Sequence, residues 1–177
     1  GLITMLLDCE RLKNESWLSS ISPYAPLPGM DLLDLIVHFV TQNKAQKGRI
    51  GVELGHSPRG NTGYLFATEY EFLKKALPDA TFVLGHAGMG YYREAAAMAK
   101  SHGNTYLEIG GQPPDVVREL IDLVGPDKLL YGSDWPVYPL AMPLAKVFIA
   151  TEGDPETRRK ILYENANALL NRTAKKQ

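Results

Sequence analysis

The sequence predicts an α/β fold built on a parallel sheet, and three observations carry that expectation. Short aliphatic runs alternate with helical patterns about five times along the 177 residues. Several of the runs are almost continuously apolar, as strands covered on both faces must be. The intervening helical patterns have readable ends, with proline at starts and glycine or proline at stops.

The strands are expected at Leu2 to Leu7, Arg49 to Leu54, Thr81 to Leu84, Thr105 to Ile109 and Lys128 to Tyr131. A first helix is carried by Leu32, Leu35, Ile36 and Phe39 at helical spacing, with Gly48 as its stop. A second runs from about Ala67 to Leu77, closed by Pro78, and an alanine-rich third from Tyr92 to about Ser101, before Gly103. Pro113 and Pro114 open a fourth that points Val116, Val117, Leu120 and Leu123 inward and stops at Gly125. Asp154-Pro155 is a cap followed by proline at the first helical position. The helix it starts places Ile161, Leu162, Ala166, Leu169 and Leu170 on one stripe. Val137 to Ala150 is expected to be helical too. Residues Asn14 to Gly29, holding Pro23, Pro26, Pro28 and several serines, read as a loop.

Composition narrows the function classes. Lys and Arg number 19 against 20 Asp and Glu, a formal net charge of -1, which leaves no basic footprint for nucleic acid. No apolar run approaches the roughly 20 residues of a membrane span. Cys9 is the one cysteine, so a disulfide framework and a cysteine-based zinc module are both excluded. No secretory signal is visible, and a cytoplasmic setting is expected. The chain is read as one domain over 1–177. Its opening on Gly1 in place of Met suggests a trimmed or partial protein. The strand–helix units, about 25 to 45 residues each, match the roughly 31 per unit of a (β/α)8 barrel, with a doubly wound open sheet as the alternative.

Three of the expected strands carry a potential metal ligand at the carboxyl tip: His56 after Ile50-Gly51-Val52-Glu53-Leu54-Gly55, His86 after Val83-Leu84-Gly85, and Asp134 after Tyr131-Gly132-Ser133. Parallel α/β architectures bring such tips to one face, where active sites sit. Two imidazoles and a carboxylate are the ligand set of a catalytic zinc centre with a position left for water. A lone histidine at a strand end is more often structural; three such residues at equivalent places reverse that. His38, inside a helix, and His102, beside Gly103, are read as structural or solvated. Arg59 and Arg93, each soon after a site histidine, are candidate partners for a substrate carboxylate, because a guanidinium fork matches it.

Other motifs fail. Gly55-His56-Ser57-Pro58-Arg59 has Arg59 where a nucleophile elbow needs glycine, and no histidine follows Asp134. Gly88-Met89-Gly90 has Arg93 where a dinucleotide loop needs its third glycine.

Val83-Leu84-Gly85-His86-Ala87-Gly88, then Tyr106-Leu107-Glu108-Ile109-Gly110, then Leu129-Leu130-Tyr131-Gly132-Ser133-Asp134-Trp135-Pro136, and finally Arg158 with Lys160 to Ala166, occur in this order. On these the sequence resembles the amidohydrolase superfamily, in its branch of aminocarboxymuconate-semialdehyde decarboxylase-like enzymes. The resemblance implies a TIM barrel of which this chain supplies about strands four to eight. It implies His56 as a metal ligand, His86 as a ligand or substrate-polarising group, and Asp134 as metal ligand and base. The implied cofactor is a divalent metal, Zn2+ first and Mn2+ or another as alternatives. The implied activity is hydrolysis of C–N or C–O bonds of a small molecule by a metal-activated water. Nonoxidative decarboxylation and a non-catalytic barrel remnant serving as a binding or assembly module are the alternatives. The family's first-strand His-x-His pair has no counterpart here. Its nearest string, Leu7-Asp8-Cys9-Glu10-Arg11, is read as belonging to the fourth strand. A small-molecule substrate is expected, with no nucleic-acid or membrane partner, and a homo-oligomer or a preceding segment completing the barrel.

Overall fold

Apolar β-branched and leucine-rich runs pair side by side because each leaves a row of backbone donors and acceptors that only another strand satisfies. In the computed structural model, which describes residues 2–5, 21–24, 32–42, 49–53 and 67–171, four of them make one parallel sheet. These are β3 (Arg49–Glu53), β4 (Thr81–Gly85), β5 (Thr105–Glu108) and β6 (Leu129–Leu130), in that spatial order. Phe82, Val83 and Leu84 face Thr105, Tyr106 and Leu107, and Leu107 and Glu108 face Leu129 and Leu130. A separate parallel pair joins β1 (Leu2–Met5) to β2 (Ile21–Tyr24).

β2 corrects one expectation, since it lies inside the stretch read as a loop. Pro23 sits within it, and a proline is tolerated in a strand where its missing N–H is not needed by a neighbour, as at an edge. A four-residue strand with serine and proline at its centre leaves too weak a pattern to see in sequence.

The helices are α1 (Leu32–Gln42), α2 (Ala67–Ala76), α3 (Tyr92–Ser101), α4 (Pro114–Val124) and α5 (Ala141–Ala150). The last begins four residues later than the Val137 expected from sequence, because the N–H groups of Val137 and Tyr138 turn back onto Asp134 O. The closing helix is interrupted. It runs as α6 (Pro155–Arg159), a π-helical stretch (Lys160–Glu164) and α7 (Asn165–Asn171). Asp154 caps its start by accepting a hydrogen bond from Thr157 N at 3.0 Å. Within the π stretch Ile161 O accepts from Tyr131 N at 3.1 Å, which ties the closing helix to the exit of β6. Among the described residues no helix is long and apolar enough to cross a membrane.

Side chains alternate across the sheet, so each strand serves two layers. Phe82, Leu84, Leu107 and Leu129 enter the main core with Tyr70 and Leu73 of α2, Leu77 just after it, Ala96 and Ala99 of α3, Leu120 of α4 and Val147 of α5. Tyr106, Leu130 and Val83 pack on the other face with Leu169 and Ala166. Each fully buried large side chain contributes about 1.5–3 kcal/mol. Tyr70 is wholly buried, and its hydroxyl is satisfied by Thr105 Oγ1 at 2.6 Å; burial pushes its pKa up. At the amino-terminal end of the sheet the turns are pinned by side-chain donors. Lys128 Nζ reaches the carbonyls of His102, Gly103 and Thr105, and Asn104 Nδ2 those of Pro78 and Ala80.

Asn165, buried, donates from Nδ2 to Pro126 O at 2.7 Å and Leu129 O at 2.8 Å, so one amide links α7 to both ends of the turn into β6. Asn165→Ala removes the amide from the buried Leu129 O and from Pro126 O, the latter keeping the Leu129 N–H. It is expected to cost about 2–3 kcal/mol, seen as a lower denaturant midpoint at unchanged slope.

Candidate active site

Parallel pairing in register sends the carboxyl ends of β3, β4, β5 and β6 to one edge of the sheet, Glu53 lying beside Gly85. His86 follows β4 directly, and Asp134 lies four residues beyond β6. Both have left-handed backbones, with φ of 51° and 53°. Ala87 and Met89, at 46° and 49°, are the other non-glycine residues of this kind among those described. All four therefore sit at the exits of β4 and β6. Such a backbone costs on the order of 1–3 kcal/mol per residue and persists only where surrounding contacts hold it.

For His86 and Met89 those contacts come from the exit of β5. Glu108 Oε2 accepts from His86 N at 2.9 Å, and Oε1 accepts from Gly110 N. Gln112, 4 % exposed, donates from Nε2 to His86 O at 2.6 Å and Met89 O at 3.0 Å. The ring of His86 meets Gly110 O through Nδ1 at 2.9 Å, with Glu108 Oε2 3.5 Å from the same nitrogen. A carbonyl oxygen only accepts, so Nδ1 carries the hydrogen and a neutral His86 presents a lone pair at Nε2. His86 and Glu108 are 20 % and 22 % exposed, sheltered yet reachable.

Glycines make room for this arrangement. A Cβ on Gly132 would fall on the Glu108 carboxylate, and one on Gly110 would crowd the same group. Gly111, at φ 78°, backs onto the His86 ring, 3.5 Å from where its own Cβ would stand. At the exit of β6, Asp134 O accepts from Val137 N at 2.8 Å and Tyr138 N at 3.3 Å, closing a turn that includes the cis Trp135–Pro136 bond.

Of the site residues expected from sequence, His86 and Asp134 share this edge, while His56 and Arg59 lie outside the described residues. Arg93 is engaged elsewhere. Its Nε and Nη2 donate to Glu119 at 2.8 and 3.1 Å, joining α3 to α4, and it lies over the Tyr92 ring. The Arg93 hydrogen bonds, followed by that of the Tyr92 hydroxyl, hold the Glu119 carboxyl below its usual range. His102 pairs with Glu71 at 3.4 Å and His38 is exposed on α1, in keeping with the roles expected of them. Glu108 and Gln112 were given no role from sequence. A trace was present in Glu108, a charged residue closing an apolar strand at the same tip as the candidate ligands.

Among the described residues no three His, Cys, Asp or Glu side chains cluster as a metal site. The donor types nevertheless suit a divalent metal: an imidazole with Nε2 as acceptor and a carboxylate, with His56 as the expected third.

A parallel sheet with helices between its strands and polar groups at its carboxyl edge defines an α/β fold whose site lies at the strand ends. The amidohydrolase family's sequence model matches residues 70–172, more than half of the chain, and the chain belongs to that family. Members are typically metal-dependent. Solved structures share the fold. An uncharacterised TIM-barrel protein from Bordetella bronchiseptica is 20 % identical at a TM-score of 0.64, over 80 % of this chain and 51 % of that one. Amidohydrolase 2 from Bifidobacterium longum subsp. infantis is 20 % identical at 0.53, over 75 % and 54 %. A 5-carboxyvanillate decarboxylase from Sphingomonas paucimobilis is 16 % identical at 0.52, over 92 % and 61 %. The chain thus spans about half to three-fifths of these structures and forms part of a barrel. A search of curated proteins found no match.

Gly132→Ala is expected to displace the Glu108 carboxylate and destabilise the fold by about 3 kcal/mol, the worth of one or two charge-assisted hydrogen bonds. Gly103→Ala, where a Cβ meets nothing within 4 Å, serves as control and should be neutral or stabilising by about 0.4–1 kcal/mol. Thermal melts of the two variants make the comparison.

Proposed function

We propose that this chain carries the acid–base groups of a hydrolase that cleaves C–N or C–O bonds of a small, carboxylate-bearing molecule with water. The observation that carries the reading is His86 and Asp134 at the exits of β4 and β6, on one sheet edge, each in a backbone conformation that only dedicated contacts sustain. Asp134 is assigned as the base: its carboxylate takes a proton from water as the water oxygen bonds to the electrophilic carbon. His86, when protonated, donates from Nε2 to the oxygen that gains charge; its Nδ1 hydrogen stays with Gly110 O. The proton held by Asp134 then passes to the leaving nitrogen or oxygen as its bond to carbon breaks.

A divalent metal, Zn2+ or Mn2+, would be held by His56 and Asp134, with His86 Nε2 as a further ligand in the alternative in which that atom does not donate to substrate, and when bound it would lower the pKa of the attacking water. Arg59 is the residue assigned to the substrate carboxylate, since the Arg93 fork is held by Glu119. A second reading is nonoxidative decarboxylation, supported by the fold shared with the 5-carboxyvanillate decarboxylase.

The test is metal analysis of the purified protein together with product assays on lactones, amides and aromatic carboxylic acids. About one divalent ion per chain is expected. Asp134→Asn should lower turnover by about 100-fold or more. Acid release from the esters or amides supports hydrolysis, and carbon dioxide release supports the second reading. A protein without stoichiometric metal and without either product sinks both.

A further inference from the structure

Three different atoms of His86 find their partners within one five-residue stretch. Its N–H goes to the Glu108 carboxylate, its carbonyl to the Gln112 amide and its ring to Gly110 O. Each partner has the polarity its target needs: an anion for the N–H, a donor for the carbonyl, an acceptor for Nδ1. Gln112 also spans the turn to Met89 O, and so grips both ends of the run 86–89, every residue of which has positive φ. A side chain merely filling space has no reason to match three polarities. Nor does the fold require a carboxylate there, since Gly110 and Gly132 both forgo a Cβ to admit it.

We infer that Glu108 to Gln112 is a cradle in which Glu108 and Gln112 are positioning residues, holding the left-handed backbone of His86 and fixing its ring proton on Nδ1. The consequence is that Nε2 is the ring atom presented for chemistry, whether as acceptor towards a metal or, once protonated, as donor towards substrate. That functional consequence rests on the role proposed for His86; the cradle itself does not. Glu108→Gln keeps the size of the side chain but turns an amide donor towards one of two backbone donors and removes the charge beside Nδ1. Gln112→Leu removes the donor from both carbonyls.

The experiment reads the tautomer directly. Protein labelled with ¹⁵N-histidine and dialysed against a chelator is examined by ring-nitrogen NMR about two units above the usual imidazole pKa near 6.5. His86 is assigned by its loss in His86→Asn. Wild type is expected to show Nδ1 protonated and Nε2 bare, opposite to the preference of free imidazole side chains. Both variants should move His86 towards the Nε2–H form while His38 and His102 keep their signals. An Nε2–H form in wild type overturns the inference. So does an Nδ1–H form unchanged in folded Glu108→Gln, even if its melting temperature falls, because a merely structural carboxylate would give that result. Should Gln112→Leu fail to fold, Glu108→Gln alone decides. Absence of metal or turnover in wild type bears on the proposed function and leaves this readout intact.

Discussion

Parallel pairing of β4 with β5, and of β5 with β6, sends successive chain exits to the same edge of the sheet, and the site depends on that pairing. With Leu84 opposite Leu107 and Glu108 opposite Leu130, the Glu108 carboxylate is level with the start of the β4 exit. There it takes the N–H of His86 as well as the N–H of Gly110. A slip of one residue would turn Glu108 to the opposite face, into the layer of Leu84, Leu107 and Leu120. An unpaired carboxylate in that layer would cost far more than the site could return.

The faces and the two ends of the sheet divide the work. The face towards the helices is filled by leucine, phenylalanine and alanine, and supplies the stability that tolerates strain elsewhere. The carboxyl edge holds the left-handed residues, whose cost is met at His86 and Met89 by the hydrogen bonds of Glu108 and Gln112 and at Asp134 by the turn it closes. At the opposite edge Lys128, Asn104 and Lys74 pin the turns through carbonyl contacts and carry no arrangement suited to chemistry. Stability at one end and reactivity at the other is the division expected of barrel-type folds.

Much of this was legible in the sequence because it is local. Helix periodicity, Pro114 at the start of α4 and the Asp154 cap depend on neighbours a few residues away, and the elements fall where those signals place them. His86 and Asp134 could be singled out because a strand end is also a local feature. β2 was not legible, since its pairing with Leu2–Met5 is set by a partner about twenty residues distant and its two central residues, Ser22 and Pro23, are poor strand formers. The interruption of the closing helix at Lys160–Glu164 was equally hidden, because no proline or glycine marks it.

By itself the sequence determined the α/β class, the membership suggested by its ordered motifs and the two polar residues at the exits of β4 and β6. Tertiary structure alone decided that Arg93 belongs to Glu119 and that Glu108 and Gln112 belong to His86. Their sequence separations of 22 to 26 residues are closed by strand register and helix packing. Only when those contacts form does the polarity around one imidazole settle which of its nitrogens carries the proton.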